Sequence, residues 1–327
     1  MTSDPCNPVS KPTHPPHARH KPASRPNRSS SPANPRLEAP PDGPAQERTL
    51  KIAGFPAVAA LFKREPERVL RLFYEDRMVP KVGDFCAYLA RSHRPYRLVD
   101  GEELARVAGT VLHGGIVAVA EPRPLAEPDP EAVRTWAGAG ESLFILDGVG
   151  NPHNLGAIAR SLAFLGFRHL LISDHPAQAG LSEAAYRVAE GGLEYLSVHR
   201  VPRLPLWLKR IGRDYRVVGT ALARGGVPVE ALRGNDPRPV ALVLGNEEDG
   251  LPPATLEACE AIVTLRGSGA VQSLNVAATA AILAYALRAA PKPPATGPVP
   301  ADRAPRKAPP TGRPSRPAIR RTKKDPL

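Results

Sequence analysis

Between Pro239 and Gly245 the chain runs Val240-Ala241-Leu242-Val243-Leu244, five apolar residues without a polar break. A strand with one wet face alternates polar and apolar residues, so an unbroken run must be covered on both faces. Leu143-Phe144-Ile145-Leu146 and His169-Leu170-Leu171-Ile172 repeat the feature. Between these two, Leu155, Ile158, Leu162 and Leu165 share one face of a helix expected over Asn154–Leu165. Further strands are expected at Tyr195–Val198, Tyr215–Gly219 and Ile262–Leu265. Further helices are expected at Ser182–Glu190, Val201–Ile211 and, alanine-rich, Ser273–Ala289. Strands buried on both faces and alternating with helices predict an α/β layer fold around a mostly parallel sheet.

Upstream lies a smaller unit. Val58, Leu61 and Phe62 recur at helical spacing, and Arg68–Phe73 reads as a strand. Lys81–Ser92 reads as a helix and Tyr96–Val99 as a strand. Asp100 caps a helix to Val107 with Glu103 three residues on, and Gly114–Val119 is a last strand. This αβαβαβ unit is followed by Glu121–Pro130, whose four prolines mark a linker. The expected division is a tail over 1–48, the small domain over 49–121, a linker over 122–139, the main domain over 140–290 and a second tail over 291–327.

Of the chain's 40 prolines, 12 fall in residues 1–48 and 11 in residues 291–327, and neither stretch holds a Phe, Trp or Tyr. Such segments cannot bury enough apolar surface to offset their ordering entropy, so both tails are expected to be disordered. They also carry the charge. The first is net +3 and the second net +8, leaving +1 of the chain's +12 for the body. The arm from Arg303 to Lys324 suits a polyanion such as nucleic acid, or simply aids solubility. Three scattered cysteines (Cys6, Cys86 and Cys259) give neither a disulfide framework nor a zinc site. The first residues lack the apolar core of a secretory signal, and no stretch is long and apolar enough to span a membrane. A cytoplasmic protein is expected.

Three segments break the layer pattern. Asp147-Gly148-Val149-Gly150-Asn151-Pro152-His153-Asn154-Leu155-Gly156 joins a strand to a helix expected to open at Asn154, and Arg160 follows under two turns on. This suits an anion at a helix N-terminus, or a plain capped turn. A dinucleotide fingerprint would need glycine where His153 stands, so a Rossmann-type dehydrogenase is disfavoured. Leu244-Gly245-Asn246-Glu247-Glu248-Asp249-Gly250-Leu251 puts three acids at a strand's carboxyl end, where open α/β sheets bind ligands. The bland alternative is a surface turn. In the third segment a Gly/Ser loop leads to Ser273-Leu274-Asn275-Val276, with Ser273 either a cap or a functional residue.

Together these segments resemble the three motifs of the SpoU/TrmH family of RNA ribose 2′-O-methyltransferases (SPOUT superfamily), in order and spacing, over about 141–288. Residues 51–120 resemble that family's substrate-binding domain, similar to the ribosomal L30e fold, through Gly54, Ala57-Val58 and His113-Gly114-Gly115-Ile116-Val117. The layout is similar to a less studied tRNA/rRNA methyltransferase branch. The resemblance implies a parallel sheet tied in a deep trefoil knot, whose loops hold S-adenosylmethionine through Leu244, Gly245, Leu265 and Leu274, with Thr220 beside them. It also implies a homodimer acting on structured rRNA or tRNA. Its active site would lie at the subunit interface and gather Asn154, Arg160, Glu247, Ser273 and Asn275, without metal.

In that reading Arg160 is the catalytic residue. A guanidinium stays protonated, so it would grip a phosphate and stabilise a developing alkoxide rather than take a proton. Asn154 and Asn275 would position the ribose, and Glu247 would orient Arg160 or Asn154. The chain departs from the family at Arg266, where proline is usual, and at Ala277, where serine is usual. The alternative is an RNA-binding protein that keeps the fold without turnover.

Overall fold

The computed structural model describes residues 49–222, 226–232, 236–246 and 249–288. Both tails expected to be disordered lie outside these residues, as does Glu247.

The first layer runs β1 (Leu50–Ala53), α1 (Phe55–Arg64), β2 (Val69–Tyr74), α2 (Val79–Arg91), β3 (Tyr96–Leu98), α3 (Gly101–Ala108) and β4 (Ile116–Ala120). Its sheet has the order β1-β4-β2-β3; β4 is antiparallel to both neighbours, and β3 is parallel to β2. The expected elements are present, and β1 precedes them. Gly54 supplies the turn from β1 into α1 at φ 94°, a conformation that disfavours any side chain. Asp100 caps α3 by accepting from Glu103 N at 2.7 Å.

The second half of the stretch expected as a linker is helical. Asp129 caps α4 (Pro130–Gly138), whose Val133 is buried and whose Trp136 stacks on His169 at 3.9 Å. The second layer then runs β5 (Leu143–Asp147), α5 (Pro152–Phe164), β6 (His169–Ser173), α6 (Glu183–Ala189), β7 (Ser197–Val201), α7 (Leu204–Ile211), β8 (Arg216–Thr220), β9 (Val240–Gly245), α8 (Pro253–Glu257), β10 (Ala261–Val263) and α9 (Val276–Leu287). Its six strands lie in the order β10-β8-β9-β5-β6-β7, and every pairing is parallel.

The unbroken apolar runs are covered on both faces. Phe144, Leu146, Leu170, Leu242 and Leu244 pack with Leu155, Ile158 and Leu162 of α5 and Leu283 of α9. Leu143, Ile145, Leu171, Ala241 and Val243 pack with Val133 of α4 and Trp207, Leu208 and Ile211 of α7. The first of these cores continues into Ile52, Val58, Leu61 and Leu72 of the small layer.

Charge also joins the two layers. The buried carboxylate of Glu194 takes Arg123 Nη2 at 2.6 Å and Arg68 Nη1 at 3.3 Å, and Glu65 faces the same two arginines. Burial lifts the Glu194 carboxyl above its ordinary range, and the two guanidiniums oppose that shift. The small layer is therefore bolted to the large one through ion pairs that water cannot screen.

At the amino end of β6, His169 donates to or accepts from Glu141 at 2.6 Å, and the Trp136 ring stacks on His169 and also meets His199 of β7 at 5.5 Å. Burial pushes both imidazoles below the ordinary 6.5, outweighing Glu141 at His169. An unfolded chain then takes up protons that the folded one refuses. Stability should be full above about pH 6.5 and fall as pH drops from there toward the lower folded values, by at most about 1.4 kcal/mol per pH unit for each histidine. Urea denaturation at pH 8 and pH 5.5 tests this. His199→Phe should flatten the decline, and an equal decline in that variant would contradict the assignment.

Candidate active site

The three singled-out segments meet at the carboxyl ends of the parallel strands. A cavity of about 570 Å3 opens there, lined by Thr220 at the end of β8, Gly245 at the end of β9, Val263 at the end of β10, and Leu265, Ser273 and Leu274 from the loop before α9. Leu222, Asn246, Asp249, Arg266 and Thr279 complete much of the wall.

Local chemistry explains each loop. β9 stops at Gly245 because the chain folds straight back, and Asn246 and Gly250 exchange backbone hydrogen bonds at 3.0 Å. A Cβ on Gly245 would overlap the Gly250 carbonyl and sit 2.6 Å from Leu251 N, so no larger residue fits. Asn246 Nδ2 donates to Gly148 O at 3.0 Å and so ties the second segment to the first. Downstream of β8, Val227 pairs with Val263, and Thr264 Oγ1 donates to Ala221 O at 2.8 Å, so Ala221 and Val227 both lie against the end of β10. Gly226 leaves the room that the Thr264 hydroxyl occupies.

The helix caps differ from expectation. α5 opens at Asn151, whose side chain accepts from His153 N at 2.8 Å, and not at Asn154. Pro152, with φ already fixed and no N–H to satisfy, favours the earlier start. α9 is capped by Asn275, which accepts from Ala277 N at 2.8 Å, and not by Ser273. Ser273 is thereby left exposed on the cavity wall. Released from capping, Asn154 accepts a hydrogen bond from Asn275 Nδ2 at 3.0 Å, so the first and third segments touch through their amides.

Four of the described expected residues stand apart from the cavity wall: Asn154 and Asn275, which bond each other, and Leu244 and Arg160. Leu244 is wholly buried in the core. Arg160, on the exposed face of α5, pairs with Glu190 at 2.9 Å and lines a separate cleft of about 310 Å3 with Phe164, Gly191, Gly192 and Tyr195. Sequence reasoning also missed Gln178, whose Oε1 accepts from both Gly148 N and Val149 N at 3.1 Å and whose Nε2 donates to Val149 O. Its place after the carboxyl end of β6 was the available signal.

The cavity offers apolar walls, a few polar groups and close backbone, within the 300–1,000 Å3 typical of small-molecule sites. Nearby Cys259 is no ready nucleophile, since burial, with Asp147 close by, pushes its thiol up to about 12. Among the described residues no cluster of three His, Cys, Asp or Glu side chains could hold a metal, and no helix is long and apolar enough to cross a membrane.

Comparison with known proteins agrees with this arrangement. Residues 141–285 match the model of the SpoU rRNA Methylase family, and residues 51–126 match that for RNA 2′-O ribose methyltransferase substrate binding. The 23S rRNA (guanosine-2′-O-)-methyltransferase RlmB of Bordetella pertussis is 35% identical over 242 residues, covering 72% of this chain and 96% of that protein. The chain belongs to the SpoU methylase family. Another family member, an uncharacterized tRNA/rRNA methyltransferase (YfiF) of Escherichia coli O157:H7, is 30% identical over 242 residues, covering 71% of this chain. The matched region spans 66% of that relative and 65% of a similar one from Haemophilus influenzae. The fold is shared with the crystal structure of an rRNA methyltransferase from Sinorhizobium meliloti, at TM-score 0.60 and 23% identity over 74% of this chain and 87% of that one. The SpoU match places the cavity loops and α5 inside one family domain, and the small layer inside the other.

Proposed function

We propose that this chain transfers a methyl group from S-adenosylmethionine to a ribose 2′-hydroxyl of structured ribosomal or transfer RNA, as a cytoplasmic homodimer. The observation that carries the reading is the convergence of the loops after β8, β9 and β10 on one cavity at the carboxyl edge of the sheet, with the first segment bonded to the other two through Gly148–Asn246 and Asn154–Asn275. The activities of the relatives, named as tRNA/rRNA and 23S rRNA (guanosine-2′-O-)-methyltransferases, point the same way.

The cavity suits the methyl donor. Leu222, Leu265 and Leu274 form apolar walls for a purine, and bare backbone at Gly245 permits close approach. When bound there, S-adenosylmethionine would supply an electrophilic methyl on sulfur. The chain's own groups do the rest. Asn154 and Asn275, already in register with each other, orient the ribose. Arg160 keeps its proton and would grip phosphate and stabilise negative charge on the 2′-oxygen as the oxygen–methyl bond forms, with the donor's methyl–sulfur bond breaking to leave a neutral thioether and the hydroxyl proton passing to water. Glu247 is assigned to orient Arg160 or Asn154.

The homodimer reading rests on exposed apolar side chains. Phe164 on α5 is 83% exposed and Tyr285 on α9 72%, on helices that pack together. A second copy of the chain would cover them and bring its own Arg160, four residues from Phe164 on the helical face, toward this chain's cavity.

Calorimetric titration with S-adenosylmethionine tests the site. One equivalent per chain is expected, and absence of binding would leave the non-catalytic RNA-binding alternative. Gly245→Ala should weaken that binding at least tenfold and lower thermal stability by an overpacking penalty of about 1–3 kcal/mol. Unchanged affinity in this variant would move the donor elsewhere.

A further inference from the structure

Glu190 breaks two local rules at once. It takes the left-handed conformation at the end of α6, with φ 45° and ψ 44°, where glycine is at ease and a side chain is strained. It also puts a negative charge beside the helix's unpaired carbonyls, where cations are favoured. Its visible gain is the 2.9 Å ion pair with Arg160, both side chains about half exposed. Exposed pairs of this kind add little to stability. A residue that violates local preferences without a stability return marks a functional constraint.

The backbone around it is clamped. A Cβ on Gly191 would lie 2.8 Å from Ala60 Cβ and 2.9 Å from Pro56 O of α1. A Cβ on Gly192 would lie 2.8 Å from Arg160 Cα. Glu190 thus stands at the head of a segment wedged between the small layer and α5, and its carboxylate position is set by both. Glu190 binds one Nη of Arg160, and a guanidinium carries five N–H donors, so others remain for a phosphate. Arg64 of α1 lies over the Tyr195 ring at 5.6 Å, bringing a second cation to the same cleft.

We infer that Glu190 is a positioning residue that holds the Arg160 guanidinium in its working orientation, with RNA phosphate as the ligand of the remaining donors. This rests on the methyltransferase reading above. The test compares the full-length wild type with Glu190→Gly, Glu190→Gln and Arg160→Ala, measuring methyl-transfer kcat, RNA Kd against salt and Tm. Glu190→Gly removes both the strain and the charge, so Tm should hold or rise. Its kcat should fall at least tenfold, while RNA Kd stays equal or tightens because the acid competing with phosphate is gone. Glu190→Gln keeps a hydrogen-bond acceptor and should recover part of the lost kcat.

Wild-type kcat in Glu190→Gly would overturn the inference and leave the functional reading intact. So would RNA binding weakened in step with kcat, or a lowered Tm, since either marks a merely binding or structural role. Arg160→Ala with full turnover would overturn the Arg160 assignment and this inference together. A wild type that transfers no methyl would overturn the functional reading itself.

Discussion

Glu194→Ala should destabilise the protein by about 3–5 kcal/mol, the range for removing one partner of a buried ion pair. The side chain is wholly buried, and Arg68 and Arg123 are 9% and 11% exposed. Both arginines are pinned by other groups as well. Arg68 donates Nε and Nη2 to Glu121 O at 3.0 and 2.9 Å, and Arg123 donates Nη1 to Leu193 O at 2.8 Å and Leu196 O at 3.1 Å. They cannot swing to water when the carboxylate goes, and Glu65, 29% exposed, would face two buried cations alone. At ~2–4 °C per kcal/mol for a folded body of this size, Tm should fall by roughly 10 °C. Thermal melts followed by circular dichroism check this, and a loss under 1 kcal/mol would mean that water reaches the cluster. The same variant should loosen the small layer, exposing the proline-rich stretch around Glu121–Pro128 to protease.

Arg160→Ala should lower kcat for methyl transfer by about 10²–10³, the usual loss when one preorganised donor to a developing oxyanion is removed. Two further readouts should stay put. S-adenosylmethionine affinity should hold, because Arg160 does not line the large cavity. Tm should hold, because the half-exposed Arg160–Glu190 pair contributes little to folding. Retained turnover in a tritium-methyl assay would remove Arg160 from the mechanism.

Much of this molecule was legible in the sequence because buried parallel strands leave an unmistakable mark. The run Val240–Leu244 announced a central strand, and β9 lies between β8 and β5. The site loops were legible as interruptions of that pattern, and five of the ten expected residues (Thr220, Gly245, Leu265, Ser273 and Leu274) line one cavity. Short elements escaped. β1 has four residues and α8 five, too few for a period to show. α4 hid among prolines that fit both a linker and a helix start. The caps were displaced because asparagine and serine occur in clusters, and Pro152 decided between Asn151 and Asn154 only once its backbone was seen. The partners of Arg160, Arg68 and Arg123 were illegible for another reason. Glu190 lies 30 residues from Arg160, and Glu194 lies 126 from Arg68. No local pattern encodes such long-range pairings.

The most direct measurement is incubation of the full-length protein with tritiated S-adenosylmethionine and unmodified ribosomal and transfer RNA, followed by digestion to nucleosides. Label on a 2′-O-methylated ribose, absent with Arg160→Ala, is the expected result. Label on a base, or RNA bound with no label at all, would contradict it.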